Sequence, residues 1–171
     1  MNNLIIIAHP NKESFCYSGI YKTILLTLLK NNESIKVLDL YSDDFTRPRT
    51  DLIQSYKEAV TWSNRIYIVS PVWWFRLTPR METFFDEVFT PGFAYKFVPI
   101  TKLYGYPKPL LSDKKVRTYL THGAPALPVK ILYLNSVKLR LVMGVYSFVF
   151  GWFKTKTRQF WSVPFVSTKK E

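Results

Sequence analysis

The sequence SPVWWFRLTPRMETFFDEVFTPGFAY, residues 70–95, contains the end of a predicted strand, an aromatic loop and a predicted helix. Trp73, Trp74 and Phe75 are consecutive, and three neighbouring side chains cannot all point inward from one extended loop. Some of them must line a surface or a cleft, where a flat amphipathic ligand could pack. The residues alone leave a second interpretation open, in which the aromatics only cover a sheet edge or a subunit contact.

Strand-like and helix-like segments alternate on both sides of this loop. Leu4–Ala8 is a continuous apolar run, which is typical of a strand buried on both faces of a parallel sheet. The pattern predicts strands at 4–8, 34–40, 65–70, 114–121 and 155–163, helices at 15–30, 51–63, 79–89 and 131–149, and a long loop at 91–113. Five strands separated by helices indicate an α/β fold with right-handed crossovers.

Ligands of such sheets bind beyond the carboxyl ends of the strands, so the loops 9–15, 71–78 and 121–128 are the candidates. The first of these precedes a helix, whose free amides and dipole favour an anion. Ser14 can donate a hydroxyl there, and His9 and Lys12 can add charge or hydrogen bonds. A capped turn with a hydrogen-bonded histidine is the alternative interpretation.

The third of these loops begins Thr-His-Gly-Ala-Pro at residues 121–125. Its glycine and alanine let a ligand approach the backbone closely. His122 could act as a proton donor near neutral pH, although a purely structural turn is equally open. The sequence predicts no metal site, because its two histidines are far apart and no Cys-x-x-Cys motif is present.

The charge is unevenly distributed along the 171 residues, a length that fits one domain spanning residues 1–171. Residues 1–90 hold ten basic and ten acidic side chains, whereas residues 91–171 hold fourteen and two, which gives the net +12. A basic half favours anionic partners. No nucleic-acid module is recognisable, so we expect small anions rather than nucleic acid as partners, with a merely solvated basic face as the alternative.

The cellular location is predicted from two features. Cys16 is the one cysteine, so no intramolecular disulfide can form, which fits the cytoplasm. The apolar segment 131–153 is interrupted by Lys138 and Arg140, and it predicts an amphipathic helix packed on the domain or on a partner. Attachment to a membrane surface is the lesser alternative.

Residues 70–95 resemble the flavin-dependent NAD(P)H:quinone oxidoreductases, the DT-diaphorase-like branch of the flavodoxin-like fold. The shared pattern is Pro-x-Trp-Trp-Phe, a proline that starts the next helix, and Asp-x-Val-Phe-x-Pro-Gly-Phe-Ala-Tyr. The opening His-Pro-x-x-x-Ser-Phe, from His9 to Phe15, resembles the family's phosphate loop. The resemblance covers residues 4–123. It implies a five-stranded parallel sheet in the order 2-1-3-4-5 with helices on both faces.

The resemblance also implies a set of flavin contacts. His9, Ser14 and Phe15 would contact the flavin phosphate, and Cys16 stands where many relatives have asparagine. Pro71, Val72, Trp73, Trp74 and Phe75 would lie along the isoalloxazine ring. Thr121, His122, Gly123 and Ala124 would meet its polar edge, although His122 and Ala124 depart from the family's residues. His122 and Tyr95 are the catalytic candidates, with Tyr95 expected at the mouth of the site of its own chain or of a second subunit.

The activity implied by the resemblance is ping-pong hydride transfer from NAD(P)H through a bound flavin to a quinone or similar acceptor. FMN is favoured over FAD, because the longer family members carry an extra part that holds adenine. A homodimer is expected. The alternative is a regulatory subunit of a potassium-efflux transporter with little turnover. A one-electron carrier is disfavoured, because such carriers are usually acidic.

Overall fold

A computed structural model of the chain describes residues 1–101 and 105–163. Its strands are β1 (Asn2–Ile7), β2 (Ser34–Asp39), β3 (Arg65–Pro71), β4 (Tyr95–Pro99), β5 (Gly105–Pro109), β6 (Lys115–Thr121) and β7 (Thr155–Phe160). Its α-helices are α1 (Lys22–Lys30), α2 (Thr50–Trp62), α3 (Pro79–Val88), α4 (Ala126–Ile131), α5 (Ser136–Leu139) and α6 (Ser147–Val149). Two π-helical segments, Cys16–Tyr21 and Arg140–Tyr146, run directly into α1 and α6.

The main sheet is parallel throughout and has the strand order β2-β1-β3-β6-β7. Counted within this sheet alone, the order is 2-1-3-4-5, which confirms the prediction. The order reverses between β1 and β3, so the carboxyl ends of these two strands form the switch point of the sheet.

The prediction of a long loop at 91–113 was wrong, because β4 and β5 form an antiparallel hairpin within this segment. Four prolines between residues 91 and 109 led to the prediction of a loop. A two-stranded hairpin has only edge strands, and an edge strand tolerates proline where the missing N–H faces solvent. The hairpin therefore forms despite its composition.

Two apolar clusters lie on opposite faces of the sheet. Alternate residues of β1 contribute to each, with Ile5 and Ile7 under α1 and with Leu4 and Ile6 on the opposite face. The second cluster also holds the buried residues of α2, α3 and the helical segment 136–149. Because β1 is buried from both sides, every position from residue 3 to residue 7 is inaccessible to solvent, which explains its unbroken apolar run.

The predicted helix 131–149 is interrupted near its start. Leu134 and Asn135 adopt left-handed backbone angles, with φ of 51° and 49°, and they separate α4 from α5. From Ser136 to Val149 the chain stays helical. It packs on the domain through Leu141 and Tyr146, which is one of the two arrangements that the sequence predicted. No helix in the described part of the chain is long and apolar enough to cross a membrane.

Lys114 links the carboxyl end of α2 to the start of β6 at the amino edge of the sheet. Its side chain is buried, and Nζ donates hydrogen bonds to the Thr61 carbonyl at 3.0 Å and the Ser63 carbonyl at 2.8 Å. These carbonyls lie at the carboxyl end of α2, where a cation also complements the helix dipole. We expect Lys114→Met to lower the free energy of unfolding by about 2–3 kcal/mol, because it leaves buried carbonyls without a donor. Urea unfolding measures the loss.

The neighbouring Lys115 provides the matched control, because its side chain is exposed and forms no ion pair among the described residues. Lys115→Met should change the stability by no more than about 0.5 kcal/mol. Equal stability of the two variants would contradict the role assigned to Lys114.

Candidate functional site

A cavity of about 260 Å³ opens at the carboxyl edge of the sheet, beside the switch point. It is lined by His9, Ser14, Phe15, Cys16, Pro71, Val72, Trp73, Thr121, His122, Gly123 and Val163. The three loops predicted from the sequence therefore meet around one cavity. Trp74, Phe75, Ala124 and Tyr95 do not line it, and the sequence reasoning missed Val163.

The loop after β1 provides the polar end of the cavity. The Ser14 hydroxyl is buried and has no hydrogen-bond partner among the described residues. The backbone amides of Phe15 and Cys16, at the start of the helix, also lack a backbone partner in the described part of the chain. A buried hydroxyl and free amides at a helix N-terminus form an arrangement that suits a phosphate.

His9 can contribute to this polar end as a neutral donor. Its Nδ1 accepts a hydrogen bond from the Asn11 amide at 3.0 Å, so the proton of the neutral ring lies on Nε2. Burial lowers the pKa of His9, which keeps the ring uncharged at neutral pH. His9 also packs edge-on against Trp73, with 5.9 Å between the ring centroids.

The expectation that Lys12 adds charge to this loop was wrong. Its ammonium group forms an ion pair with Asp39 and donates to the Tyr17 hydroxyl at 2.8 Å. Burial alone would raise the pKa of Asp39, but the hydrogen bonds from Lys12 and Tyr17 outweigh it and lower that pKa. The carboxylate of Asp39 therefore draws Lys12 away from the cavity.

The aromatic loop divides its side chains between the cavity and the surface. Trp73 and Arg76 exchange backbone hydrogen bonds of 2.8 and 2.9 Å, which closes a tight turn. The two residues inside the turn, Trp74 and Phe75, have φ of 49° and 58°, a conformation that side chains other than glycine rarely adopt. The turn directs Trp74 into solvent, where it is 92% exposed. It also packs Phe75 against Tyr133, with the two rings tilted by 37° and their centroids 4.4 Å apart.

His122 is held by partners that lie far away in sequence. Its ring stacks on Trp161 with 4.1 Å between centroids, and its Nε2 lies 2.9 Å from Nε2 of Gln159. Gln159 and Asn135 exchange hydrogen bonds of 2.8 and 2.9 Å, so the Gln159 amide is fixed from both ends. Gln159 therefore donates to His122, and the proton of the neutral ring lies on Nδ1.

The environment of His122 determines its charge. Burial lowers the pKa of His122 to about 4, so the ring is neutral at pH 7. At that pH the residue offers a hydrogen bond rather than a positive charge. The sequence predicted that His122 donates a proton to a ligand. That role stays a prediction.

Two further predicted site residues, Cys16 and Tyr95, differ in whether they line the cavity. Cys16 lines it, with its thiol 3.4 Å from the Thr121 hydroxyl, and burial raises the pKa of the thiol to about 11. The thiol is therefore protonated and unreactive at neutral pH. Tyr95 lies in β4, edge-on to Phe97 at 5.6 Å, and packs against the core.

Two glycines leave space for other groups around the cavity. A Cβ atom at Gly19 would lie 2.4 Å from the Phe15 ring, so glycine is needed there for Phe15 to line the cavity. A Cβ atom at Gly123 would meet no heavy atom within 4 Å, and its backbone is not left-handed. Neither packing nor conformation requires glycine at position 123, so its open side leaves space for a ligand.

The site combines a polar end that suits an anion, apolar walls from the loop after β3 and an open backbone at Gly123. These features fit a molecule that carries a phosphate at one end and a flat ring at the other. Among the residues that the structure describes, no group of three or more His, Cys, Asp or Glu side chains could hold a metal ion.

A parallel sheet of this order, with a cavity at its switch point, defines the doubly wound α/β class of protein. The comparison with known families makes this more specific. The profile of the flavodoxin-like fold matches residues 1–136, and the chain belongs to that family.

Curated relatives match part of the chain. A Haemophilus influenzae protein named an uncharacterized NAD(P)H oxidoreductase is 26% identical over 137 residues, covering 72% of this chain and 65% of that protein. A Bacillus subtilis protein of the same description is 28% identical over 95 residues, covering 56% of this chain and 45% of that protein. The chain thus spans less than two thirds of the length of either relative.

Solved structures share the fold at low identity. A Streptococcus mutans protein superposes with a TM-score of 0.77 and 21% identity, covering 99% of this chain and 92% of that one. The NAD(P)H:quinone oxidoreductase of Methanothermobacter marburgensis gives 0.73 and 16%, covering 95% and 87%. An FMN-dependent NADH-azoreductase of Bacillus anthracis, solved with FMN, gives 0.69 and 18%, covering 92% and 85%.

The buried His122 should make the stability of the protein depend on pH. In the unfolded chain its pKa returns to about 6.5, whereas in the folded state it is about 4. The unfolded state therefore binds more protons between these values, and stability falls as the pH is lowered through this window. We expect the melting temperature of His122→Gln to decrease less than that of the wild type between about pH 7 and pH 4.5.

His9→Gln serves as the comparison for this measurement. The pKa of His9 is also lowered by burial, but its side chain is only half-buried, so its removal should flatten the pH dependence less. Identical slopes for the wild type and His122→Gln would contradict the assignment.

Proposed function

We propose that this chain is a flavin-dependent oxidoreductase that takes a hydride from NAD(P)H and passes it to a quinone-like acceptor. The observation that carries the proposal is the buried, unpartnered Ser14 hydroxyl at a helix start, in one cavity with Pro71–Trp73 and the open Gly123. The names of the curated relatives and the family resemblance of residues 70–95 support the same chemistry.

FMN is the proposed cofactor, with FAD as the alternative. Ser14 and the amides of Phe15 and Cys16 would hold its phosphate, and His9 would donate a hydrogen bond from Nε2. Pro71, Val72 and Trp73 would lie along the ring, as the family resemblance implies. The solved azoreductase that contains FMN and shares this fold supports the choice of FMN. When bound, the flavin supplies the hydride acceptor and donor, and the chain supplies binding and orientation.

The edge of the flat ring would meet the loop after β6. Thr121 is buried and can offer its hydroxyl, and the backbone at Gly123 leaves room for close approach. His122 would act as a neutral hydrogen-bond partner, held in place by Gln159. Trp73 would limit the access of water to the ring, because it lines the cavity and packs edge-on against His9.

The remaining assignments concern assembly. We propose one flavin-binding domain over residues 1–171 that acts as a cytoplasmic homodimer. Exposed apolar side chains lie around the aromatic loop, including Trp74 and the segment 131–134, and they support a subunit contact there. Tyr95 would act at the mouth of a partner's site, since it does not line the cavity of its own chain.

Flavin uptake by the purified chain tests this proposal most directly. Flavin fluorescence should be quenched on titration with FMN, and riboflavin, which lacks the phosphate, should bind far more weakly. NADH or NADPH should then bleach the bound flavin, and menadione should restore its absorbance. A chain that binds neither FMN nor FAD would overturn the proposal. Tight FMN binding without turnover would favour the regulatory subunit of a potassium-efflux transporter instead.

A further inference from the structure

Three polar side chains beside the candidate site form one connected unit. Nε2 of His122 lies 2.9 Å from Nε2 of Gln159, and the amides of Gln159 and Asn135 exchange hydrogen bonds of 2.8 and 2.9 Å. His122 lines the cavity, whereas neither amide does. Any effect of the amide pair on a ligand is therefore exerted through His122.

The ring of His122 is held in one orientation. It stacks on Trp161 with 4.1 Å between the centroids and 22° between the planes. The His122 amide donates to the Phe160 carbonyl at 2.8 Å, and its carbonyl accepts from the Val163 amide at 3.1 Å. A half turn of the ring would keep the stacking but would place a carbon atom against Gln159. The hydrogen bond to Gln159 therefore selects the observed orientation.

The second nitrogen of the ring, Nδ1, can reach a ligand. It has no hydrogen-bond partner among the described residues, yet it is not one of the buried polar atoms that lack a partner. It therefore keeps access to open space, and the space that His122 lines is the candidate cavity. Because Nε2 accepts from Gln159, the neutral ring carries its proton on Nδ1.

Asn135 decides which end of the Gln159 amide faces the ring. If Gln159 alone turned by half a turn, the two carbonyl groups would face each other, and so would the two NH₂ groups. Both hydrogen bonds of the pair would then be lost. Without Asn135 the amide could turn freely, since Nε2 of a neutral imidazole can either donate or accept.

The backbone places Asn135 for this contact. Its φ is 49°, a left-handed angle that asparagine adopts more readily than most residues. Its amide donates to the Val129 carbonyl at 2.9 Å, and its carbonyl accepts from the Leu139 amide at 3.1 Å. The break between α4 and α5 thus has a fixed geometry, and it holds Asn135 against Gln159 on β7.

We propose that Asn135 and Gln159 are positioning residues that hold His122 as a hydrogen-bond donor, so that its Nδ1–H group binds an acceptor atom on the edge of the ring in the site. This inference rests on the proposed function, because it assigns the edge of the flavin that meets the loop after β6. The carbonyl oxygens and unprotonated nitrogens of a flavin ring are such acceptors. An edge that offers only N–H groups would face the Nδ1–H donor without an acceptor and bind weakly.

The tautomer of His122 can be measured by nuclear magnetic resonance on the full chain with isotope-labelled histidine. The chain has two histidines, and their contacts assign opposite tautomers, with the proton on Nε2 in His9 and on Nδ1 in His122. The spectrum of His9→Gln assigns the signals. A proton on Nε2 of His122 would mean that both amides are turned together, and it would overturn the proposal.

The variant Asn135→Gly tests the role of the amide pair. Glycine permits the left-handed backbone angle but removes the side-chain amide. The Gln159 amide can then turn, so both tautomers of His122 should be visible. Asn32→Gly is the matched control, because Asn32 is also left-handed, with φ of 52°, and lies exposed after α1. It should keep the single tautomer of the wild type.

An unchanged tautomer in Asn135→Gly would mean that the pair only links α5 to β7, and it would overturn the proposal. Such a structural link would hold equally well with both amides turned, so it does not depend on the tautomer. Circular dichroism confirms that both glycine variants are folded.

Addition of FMN relates the tautomer to the ligand. The mixed population of Asn135→Gly should return to the tautomer with the proton on Nδ1. Its affinity for FMN should fall about two- to fivefold, because only the fraction of molecules in that tautomer is competent to bind. Asn32→Gly should bind FMN as the wild type does. A proton on Nε2 of His122 in the FMN-bound chain would overturn the proposal.

The two kinds of failure can be told apart. A chain that binds no FMN would overturn the proposed function, and with it the role of Nδ1 toward a ring. The tautomer measured without ligand would still test whether Asn135 and Gln159 position His122.

Discussion

The variant Ser14→Asp should bind FMN roughly 100-fold more weakly than the wild type, with no loss of stability. Its carboxylate would replace the buried hydroxyl at the polar end of the cavity, where the phosphate is proposed to lie. Two like charges about 4 Å apart repel by about 4 kcal/mol at the effective dielectric constant of a protein surface, and 100-fold corresponds to about 2.7 kcal/mol. Fluorescence titration with FMN measures the loss.

The helix itself should tolerate this change. A carboxylate near a helix N-terminus stabilises the helix by about 0.3–1 kcal/mol, so the melting temperature should stay the same or rise. Ser18→Asp provides the matched control, since Ser18 lies one turn further along the same helix, is exposed and does not line the cavity. If both aspartate variants lost FMN equally, the phosphate would not lie at Ser14.

The order of the sheet could be predicted because its strongest signals are local. The apolar run from Leu4 to Ala8, most of which forms β1, is buried completely, and such a run in an α/β sequence is typical of a central parallel strand. The hairpin of β4 and β5 could not be predicted in this way. Its prolines lower the strand propensity. The segment becomes a hairpin only through the pairing of β4 with β5, for example of Lys96 with Lys108.

The interruption before α5 shows the same limit. Leu134 and Asn135 both adopt left-handed angles. Asparagine does so at times but leucine rarely does, so the sequence gives only a weak indication of the break. The Asn135 side chain pairs with Gln159, which is 24 residues away. Such a contact is visible only once the chain has folded.

The candidate site was predictable as a set of loops but not as a set of side chains. Topology brings every loop that follows a parallel strand to one edge, so His9, Trp73 and Thr121 were expected near one another. The two left-handed residues in the aromatic loop were not foreseeable, and they turn Trp74 outward. Lys12 was expected at the anion end because its partner, Asp39, is distant in sequence. Their ion pair is visible only in the folded chain.

Gly123→Trp should abolish measurable FMN binding, with a loss of at least about 100-fold. At position 123 a new side chain meets no protein atom within 4 Å of its Cβ, and the residue lines the 260 Å³ cavity. The indole would therefore occupy the space of the ligand rather than disturb the core. Since the backbone there is not left-handed, the stability should change by no more than about 0.5 kcal/mol. FMN titration and thermal unfolding measure the two effects separately.

Gly144→Trp is the control for this substitution. Its Cβ would have Arg140 Cγ as its nearest neighbour at 3.8 Å, and the residue lies outside the cavity, so FMN should bind as in the wild type. Gly123→Ala adds a third measurement, because one methyl group fills little of the cavity and should weaken binding only a few-fold. A graded loss from alanine to tryptophan at position 123 indicates steric exclusion of the ring. Full FMN binding by Gly123→Trp would place the ring elsewhere, and it would leave the phosphate contacts at Ser14 untouched.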